Sequence, residues 1–312
     1  MSDRPQRPRR SVLYVPAVNA RALAKLPTLD ADAVIVDCED SVAPEKKAEA
    51  RAALASLPRP KGDLVIRVNA PSTPWFADDM AAALAAAPHA ILVPKVDHPS
   101  ELRAAVDVLK EADELGPLRL WAMIETPKAI LNIREIAEYA ANPGNRTDCF
   151  VLGTNDLAKD LGLRGHAREI LRPIVLQVLL AARAANLDVL DGVFNDFNDA
   201  EGFAAECADG AAMGFDGKTL IHPAQIGGAN AAFSPSPEEI AAARAIVAAF
   251  ALPGHAASGV ISLNGRMVER LHLAQAERLL ARLPVSSPAT ETTRPAMGTD
   301  IAGGTRHKDP RP

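Results

Sequence analysis

Two acidic residues stand where chemistry would need them. Glu125 closes the apolar run "LRLWAMIE" and Asp156 closes "CFVLGTND". If the two runs are neighbouring strands, the space between their carboxylates suits a hard divalent cation such as Mg2+. That ion takes one or two protein carboxylates and leaves its other positions to water and substrate oxygens. Local roles compete with this reading. Thr126 and Pro127 after Glu125 have the pattern of an N-cap followed by the first helical residue, and Asp156 could cap or turn the chain after Gly153. A cap at Thr126 would also fix the strand tip that presents Glu125. Arg67 emerges from the buried-looking alternation "LVIRVN". Facing a cation and acids, its guanidinium is suited to hold a substrate carboxylate or carbonyl through paired hydrogen bonds; the alternative is a structural ion pair with the acids of "DCED".

Other apolar runs also end in polar residues. Asp37, Glu39 and Asp40 follow the second run, Lys95 the fourth, Asp191 the seventh and His222 the eighth. Lys95 could support the acids from behind, and His222 before Pro223 could simply close its loop. Nucleophilic alternatives find little support: Cys38 and Cys149 lie inside apolar runs, and no Gly-x-Ser-x-Gly elbow occurs.

The elements that must position these residues alternate along the chain. Strands are read at "SVLYVP", "AVIVDCED", "DLVIRVN", "AILVPKV", "LRLWAMIE", "CFVLGTND", "LDVLDGV" and "GKTLIHP", with alanine-rich helical stretches between them, for instance 44–56, 99–115 and 166–185, the last with a kink expected at Pro173. This pattern predicts a (β/α)8 barrel over residues 11–233, whose active site belongs at the C-terminal ends of the strands. An open doubly wound sheet fits less well, because no Gly-x-Gly-x-x-Gly follows the first strand. Residues 234–284 read as an appendage packed near the barrel mouth or on a neighbouring subunit: a helix begun by Ser236 and Pro237, a hairpin turning at Asn264-Gly265, and a last helix. Residues 1–10 read as a flexible basic start, and 285–312, short of large apolar residues, as a disordered tail.

Composition sets the outer limits. With 34 basic and 39 acidic residues in 312, the net charge of −5 offers no attraction for nucleic acid. The three scattered cysteines suit neither zinc nor a disulfide framework and point to a reducing cytoplasm. No apolar run approaches the ~20 residues of a membrane span.

Aligned in order, "RRSVLYVPAVNARALAK", "DAVIVDCEDSVAPEKKAEAR", "VIRVN", "ILVPKV", "MIETPKAI", "VLGTNDLAKDLG" and "GFDGKTLIHPAQI" resemble the citrate lyase β-subunit-like group of the HpcH/HpaI aldolase superfamily. The segment "SGVISLNGRMVERLHLAQAERLLA" resembles that group's C-terminal element. The resemblance implies a TIM barrel, Mg2+ held at Glu125 and Asp156, and substrate binding at Arg67. It also implies a CoA or acyl-carrier thioester cleaved by a retro-aldol or retro-Claisen step, and a homo-oligomer, trimer or hexamer. Arg21, Lys25 and Lys46 fall where CoA phosphates could be met. One of Asp37, Glu39 or Asp40 would take the hydroxyl proton. Asn155 departs from the pattern, standing where many relatives carry an acid, and this leaves the acid portion of the substrate open. Two other readings stand beside a carbon–carbon lyase acting on malyl-CoA, citramalyl-CoA or a citryl thioester. One is a Mg2+-dependent aldolase on free oxo acids, for which the three basic residues are only surface charges; the other is a lyase subunit dependent on a carrier-protein partner.

Overall fold

The structure, a computed structural model, describes residues 7–112, 117–164, 168–255 and 258–283. Strands β1 (Ser11–Pro16), β2 (Ala33–Asp37), β3 (Asp63–Arg67), β4 (Ala90–Val93), β5 (Arg119–Ile124), β6 (Thr147–Leu152), β7 (Asp188–Asp191) and β8 (Gly217–Leu220) pair in parallel and in sequence order. The sheet closes where β1 meets β8, with Ser11 opposite Lys218. All the strands read from the sequence are present, trimmed at their polar ends. Helices α1 (Ala20–Leu23), α2 (Lys47–Leu54), α3 (Phe76–Ala85), α4 (Pro99–Glu111), α5 (Pro127–Leu131), α6 (Ile133–Ala141), α7 (Thr154–Asp160), α8 (Arg168–Ala184), α9 (Ala200–Met213) and α10 (Ile226–Ala232) fill the connections. Pro173 stands inside α8 without ending it. Among the described residues no helix is long and apolar enough to cross a membrane.

Alternation sorts the strand side chains into two cores. Residues such as Leu13, Val34, Ile66 and Ile91 face the helices. Val12, Ile35, Val65, Leu92, Trp121 and Val151 fill the barrel interior. Continuing the inward set one step towards the C-terminal ends brings Tyr14, Asp37, Arg67 and Glu125 over that interior plug. The tips carry charge because the alternation delivers inward positions to the open end of the barrel.

Residues 7–10 depart from the expectation of a loose tail. Residues 1–6, like the predicted tail 285–312, lie outside the described residues, but Arg9 is only 5% exposed and closes the barrel floor. Its guanidinium donates to Asp148 at 2.8 Å and Asp188 at 3.0 Å and lies 4.8 Å from the centre of the Trp121 ring. Arg10 grips Asp32 through Nε and Nη2, each at 2.8 Å. In sequence these arginines look solvated; two acids at the starts of β6 and β7 make burial of Arg9 possible.

The appendage forms as expected in its parts. Helix α11 (Pro237–Phe250) starts at Ser236, which shares a capping box with Glu239, and strands β9 (Val260–Leu263) and β10 (Arg266–Glu269) turn through Asn264 and Gly265, both with positive φ. Its placement differs from the first alternative. Arg282, just beyond α12 (Arg270–Ala281), pairs with Asp188 and Asp216 at the barrel floor, and Arg278 donates to Asn186. These contacts tie the last helix to the end opposite the mouth.

Replacing Arg9 by Met keeps most of the volume but strands Asp148 in the floor and leaves Asp188 to Arg282 alone. We expect a loss of about 3–5 kcal/mol, read as a lower urea midpoint, with partial recovery when Asp148→Asn is added. An unchanged midpoint in the single variant would mean that the floor pair contributes nothing.

Candidate active site at the barrel mouth

Register builds the first contact. Asp37 and Arg67 are direct partners in the β2–β3 ladder, so both side chains point inward at one level. Arg67 donates to Asp37 Oδ1 through Nε at 2.6 Å and to Oδ2 through Nη2 at 2.7 Å, a paired fork. Its Nη1 lies 3.0 Å from Glu39 Oε2 and 3.7 Å from Asp40. The ion pair and the substrate-facing reading of Arg67 therefore coexist: the fork is spent on Asp37, while the Nη1 edge borders the cavity. Burial works against the Asp37 charge, but Arg67, the Ser41 side chain and the Glu39 N–H outweigh it and hold the carboxyl below its ordinary value. Asp37 is thus an anchor for Arg67 and a poor proton acceptor. Glu39 differs: burial first, then the charges of Asp40 and Glu125, push it up to about 7 against the pull of Arg67 and Lys95. Asp40 is exposed at the rim.

Glu125 and Asp156 meet around one cationic atom. Lys95 Nζ is bonded to Asp156 and lies 3.4 Å from Glu125 Oε1, 3.6 Å from Asp40 and 3.7 Å from Glu39. Lys95 turns through the left-handed region, at φ 51°, which aims its N–H at Glu125 Oε1 at 2.8 Å. A non-glycine residue held there costs about 1–3 kcal/mol and is over-determined by its surroundings. Thr126 caps α5 by accepting from Ala129 N at 3.0 Å, with Pro127 in the first turn, so the cap and the presented carboxylate coexist. Asp156 sits in the first turn of α7 behind the cap residue Gly153, and not on the strand tip, because β6 ends at Leu152. Gly153 is required by space: a Cβ there would fall 2.3 Å from Glu125 Cβ and 2.7 Å from Glu125 Oε2.

These residues fit a hard divalent cation. Glu125 is 1% exposed and Asp156 lies at the cavity edge, and a single cationic centre already reaches both. Burial, followed among the raising influences by Asp156, lifts Glu125 above its ordinary value; for Asp156, burial is overcome by Lys95, which holds it low. A cation between them would relieve the first and replace Lys95 at the second. Among the described residues no third His, Cys, Asp or Glu completes a closed metal cluster. Two carboxylates with open positions is the donor set expected for Mg2+ rather than structural zinc.

The mouth encloses a cavity of about 440 Å3 bordered by Asp37, Arg67, Glu125, Gly153 and Asp156. A second cleft of about 330 Å3 is lined by Arg21 and Lys25, and the two share Tyr14, Pro16 and Ile221. Lys46 is not brought into either space; it is exposed on the short 3-10 turn Pro44–Lys46 after β2. Asp191 faces the helices instead of the mouth, bound by Lys218 at 3.0 Å and Arg168 at 2.6 Å. His222 caps its loop by accepting from Ala224 N and stacks on Phe197 at the edge of the second cleft. Tyr14 and Met123, not singled out in the sequence, also line the first cavity.

Residues 10–223 match the family described as HpcH/HpaI aldolase/citrate lyase. A (3S)-malyl-CoA thioesterase of Cereibacter sphaeroides is 44% identical over 280 residues, covering 88% of this chain and 94% of the relative. The mitochondrial citramalyl-CoA lyase of Homo sapiens is 32% identical over 286 residues, covering 86% and 84%. Among solved structures, CitE of Mycobacterium tuberculosis in complex with magnesium, acetoacetate and coenzyme A superposes with a TM-score of 0.66 at 34% identity, covering 88% of this chain and 97% of that one.

Glu125→Gln and Asp156→Asn each remove one anionic donor from a two-carboxylate site. Changes that only disturb a ligand's support cost roughly 10–100-fold in metal affinity, so loss of a ligand should cost at least as much. Calorimetric titration with Mg2+ on variants that melt like the parent checks this; unchanged affinity in either would remove that residue from the site.

Proposed function

Because the chain belongs to the HpcH/HpaI aldolase/citrate lyase family, we propose that it is a Mg2+-dependent carbon–carbon lyase. It cleaves, or in reverse forms, a 3-hydroxyacyl-CoA of the malyl or citramalyl type, giving an acyl-CoA and a 2-oxo acid. The observation that carries this reading is the junction of two unlike spaces: an acid-lined mouth for a small oxygenated acid, and a cleft edged by Arg21 and Lys25 for an anionic tail. The relatives' names and the coenzyme A in the complex of the solved neighbour point the same way. An assembly of several copies belongs to the same proposal, supported by exposed Leu131 and Leu180 on α5 and α8, as does a reducing cytoplasm, with which the three free, buried cysteines agree.

Magnesium held by Glu125 and Asp156 would supply Lewis-acid polarisation of the acid portion's oxygens. Glu39 is the best matched of the three candidate bases, lying 3.0 Å from Arg67 Nη1 and titrating near neutrality, whereas Asp37 is committed to Arg67. In the cleavage direction the substrate O–H breaks, its proton passes to Glu39, and its electron pair forms the new carbonyl. The adjacent carbon–carbon pair moves to the thioester, which becomes an enolate and then takes a proton at carbon. Arg67, locked in orientation by Asp37, presents Nη1 to that developing charge. Arg67→Lys should be nearly as damaging as Arg67→Ala, since a point charge cannot make the planar fork.

A second reading is favoured by the relative at 44% identity, whose name is that of a thioesterase. There the same site would direct water to the thioester carbonyl, breaking the carbon–sulfur bond and releasing free CoA and the hydroxy acid. Purified protein with Mg2+ and malyl-CoA or citramalyl-CoA separates the two: a 2-oxo acid with intact acyl-CoA supports the lyase, free thiol without oxo acid supports hydrolysis, and neither product sinks both.

If the cleft takes the CoA tail, reversing the charge at Arg21 and Lys25 raises KM for the CoA substrate and leaves kcat unchanged, because these contacts are shared by ground and transition states. The effect should shrink with salt as screening grows. Reversal at Lys46, outside both spaces, should do less. Equal effects on a CoA-free oxo acid, or none on either substrate, would remove these residues as the basis for a CoA-ester enzyme.

A further inference from the structure

Tyr14 occupies the one place where both spaces meet, and its hydroxyl is poorly employed. It borders the acid-lined cavity and the basic-edged cleft alike, and its Oη contacts Met123 Sδ at 3.8 Å. A thioether is a weak acceptor. Arg67 Nη1 points to the same sulfur at 3.6 Å, and the Arg67 guanidinium lies 5.1 Å from the centre of the Tyr14 ring. Two donors therefore converge on a partner that either can leave cheaply. We propose that the Tyr14 hydroxyl, beside Arg67 Nη1, donates a hydrogen bond to the carbonyl oxygen of the bound thioester and stabilises the charge that develops there. The inference rests on the reading of the protein as a CoA-thioester enzyme, since a thioester with its acid end at Glu125 and Asp156 and its tail along Arg21 and Lys25 must cross this junction.

The phenol is equipped to donate and not to accept a proton. Burial is the largest influence on it and, with the surrounding carboxylates, outweighs Arg67 to hold its titration above the ordinary tyrosine range. Near neutral pH it is therefore protonated and able to donate. A donor aimed at a developing oxyanion inside a protein cavity contributes about 10²–10³-fold in kcat, and it serves an enolate oxygen or a tetrahedral oxyanion equally. Tyr14 is therefore a catalytic residue under either reaction.

Tyr14→Phe removes the hydroxyl and keeps the ring over Arg67. Infrared spectroscopy of acetyl-CoA labelled with 13C at the carbonyl, bound to the Mg2+-loaded protein, reads the contact directly. The band should lie at lower frequency in the parent and move back towards the free value in Tyr14→Phe. With a hydroxyacyl-CoA substrate, kcat should fall about 10²–10³-fold while KM stays within about twofold. The chain has two tyrosines, so ring-fluorinated tyrosine incorporated in a Tyr139→Phe background strengthens the Tyr14 donor alone and should shift the band further down. A band unchanged between parent and Tyr14→Phe overturns the inference, and so does parent protein that binds no acetyl-CoA. A band shift lost in Tyr14→Phe without carbon–carbon cleavage in the parent sustains Tyr14 as the donor and overturns the lyase reading.

Discussion

The fork between Arg67 and Asp37 is the constraint on which the mouth depends. A buried guanidinium is costly to desolvate, and only paired, well-aligned acceptors offset that cost. The β2–β3 register supplies the alignment, because residues opposite one another in a parallel ladder share a level and a direction. Once Nε and Nη2 are committed at 2.6 and 2.7 Å, the remaining edge of Arg67 faces Glu39, Met123 and the cavity. The same commitment separates two neighbouring acids by role: Asp37 stays ionised as an anchor, while Glu39, less fully compensated and pushed up by burial, titrates near neutrality.

Charge is distributed along the barrel axis in a way that follows from this. At the mouth, five carboxylates from β2, β5 and α7 and their loops face Arg67 and Lys95, so negative charge exceeds positive and a further cation is welcome. At the floor, Arg9, Arg10 and Arg282 are matched to Asp148, Asp188, Asp32 and Asp216. The floor clusters bind chain segments to the barrel, including the last helix; the mouth cluster is left under-neutralised. That division agrees with the general separation in such barrels of a stabilising N-terminal face from a reactive C-terminal one.

Much of this was legible in the residues. Alternating strands, the Ser236 cap and the Asn264-Gly265 turn are local patterns with local causes, and they form as read. The chemistry at Glu125 was legible because an acid ending a doubly buried strand demands a reason. Asp156 was found by type and misplaced by element: the apolar run does not show that Gly153 ends β6 and opens a helix, which depends on room for the Glu125 side chain. Arg9 was missed because its partners Asp148 and Asp188 are remote in sequence, and a run of arginine and proline looks solvated without them. Tyr14 was missed for the opposite reason, since a tyrosine within an apolar alternation looks like ordinary core until the cavity on its polar end is seen.

The left-handed turn at Lys95 joins these threads. The strain of that backbone is repaid by an N–H on Glu125 and an ammonium among Glu39, Asp40, Glu125 and Asp156, so one residue orients the buried carboxylate and offsets the excess negative charge. Its side chain is a third exposed, on a flexible stem, while the backbone contact does not depend on where the ammonium goes. A cation arriving between Glu125 and Asp156 would therefore meet a carboxylate already aimed by the main chain and would displace only a mobile charge. Preorganisation at the mouth thus resides in the backbone at Lys95, the space at Gly153 and the register at Arg67, three features set by chain geometry, and the Lys95 ammonium is the charge left to rearrange as substrate enters.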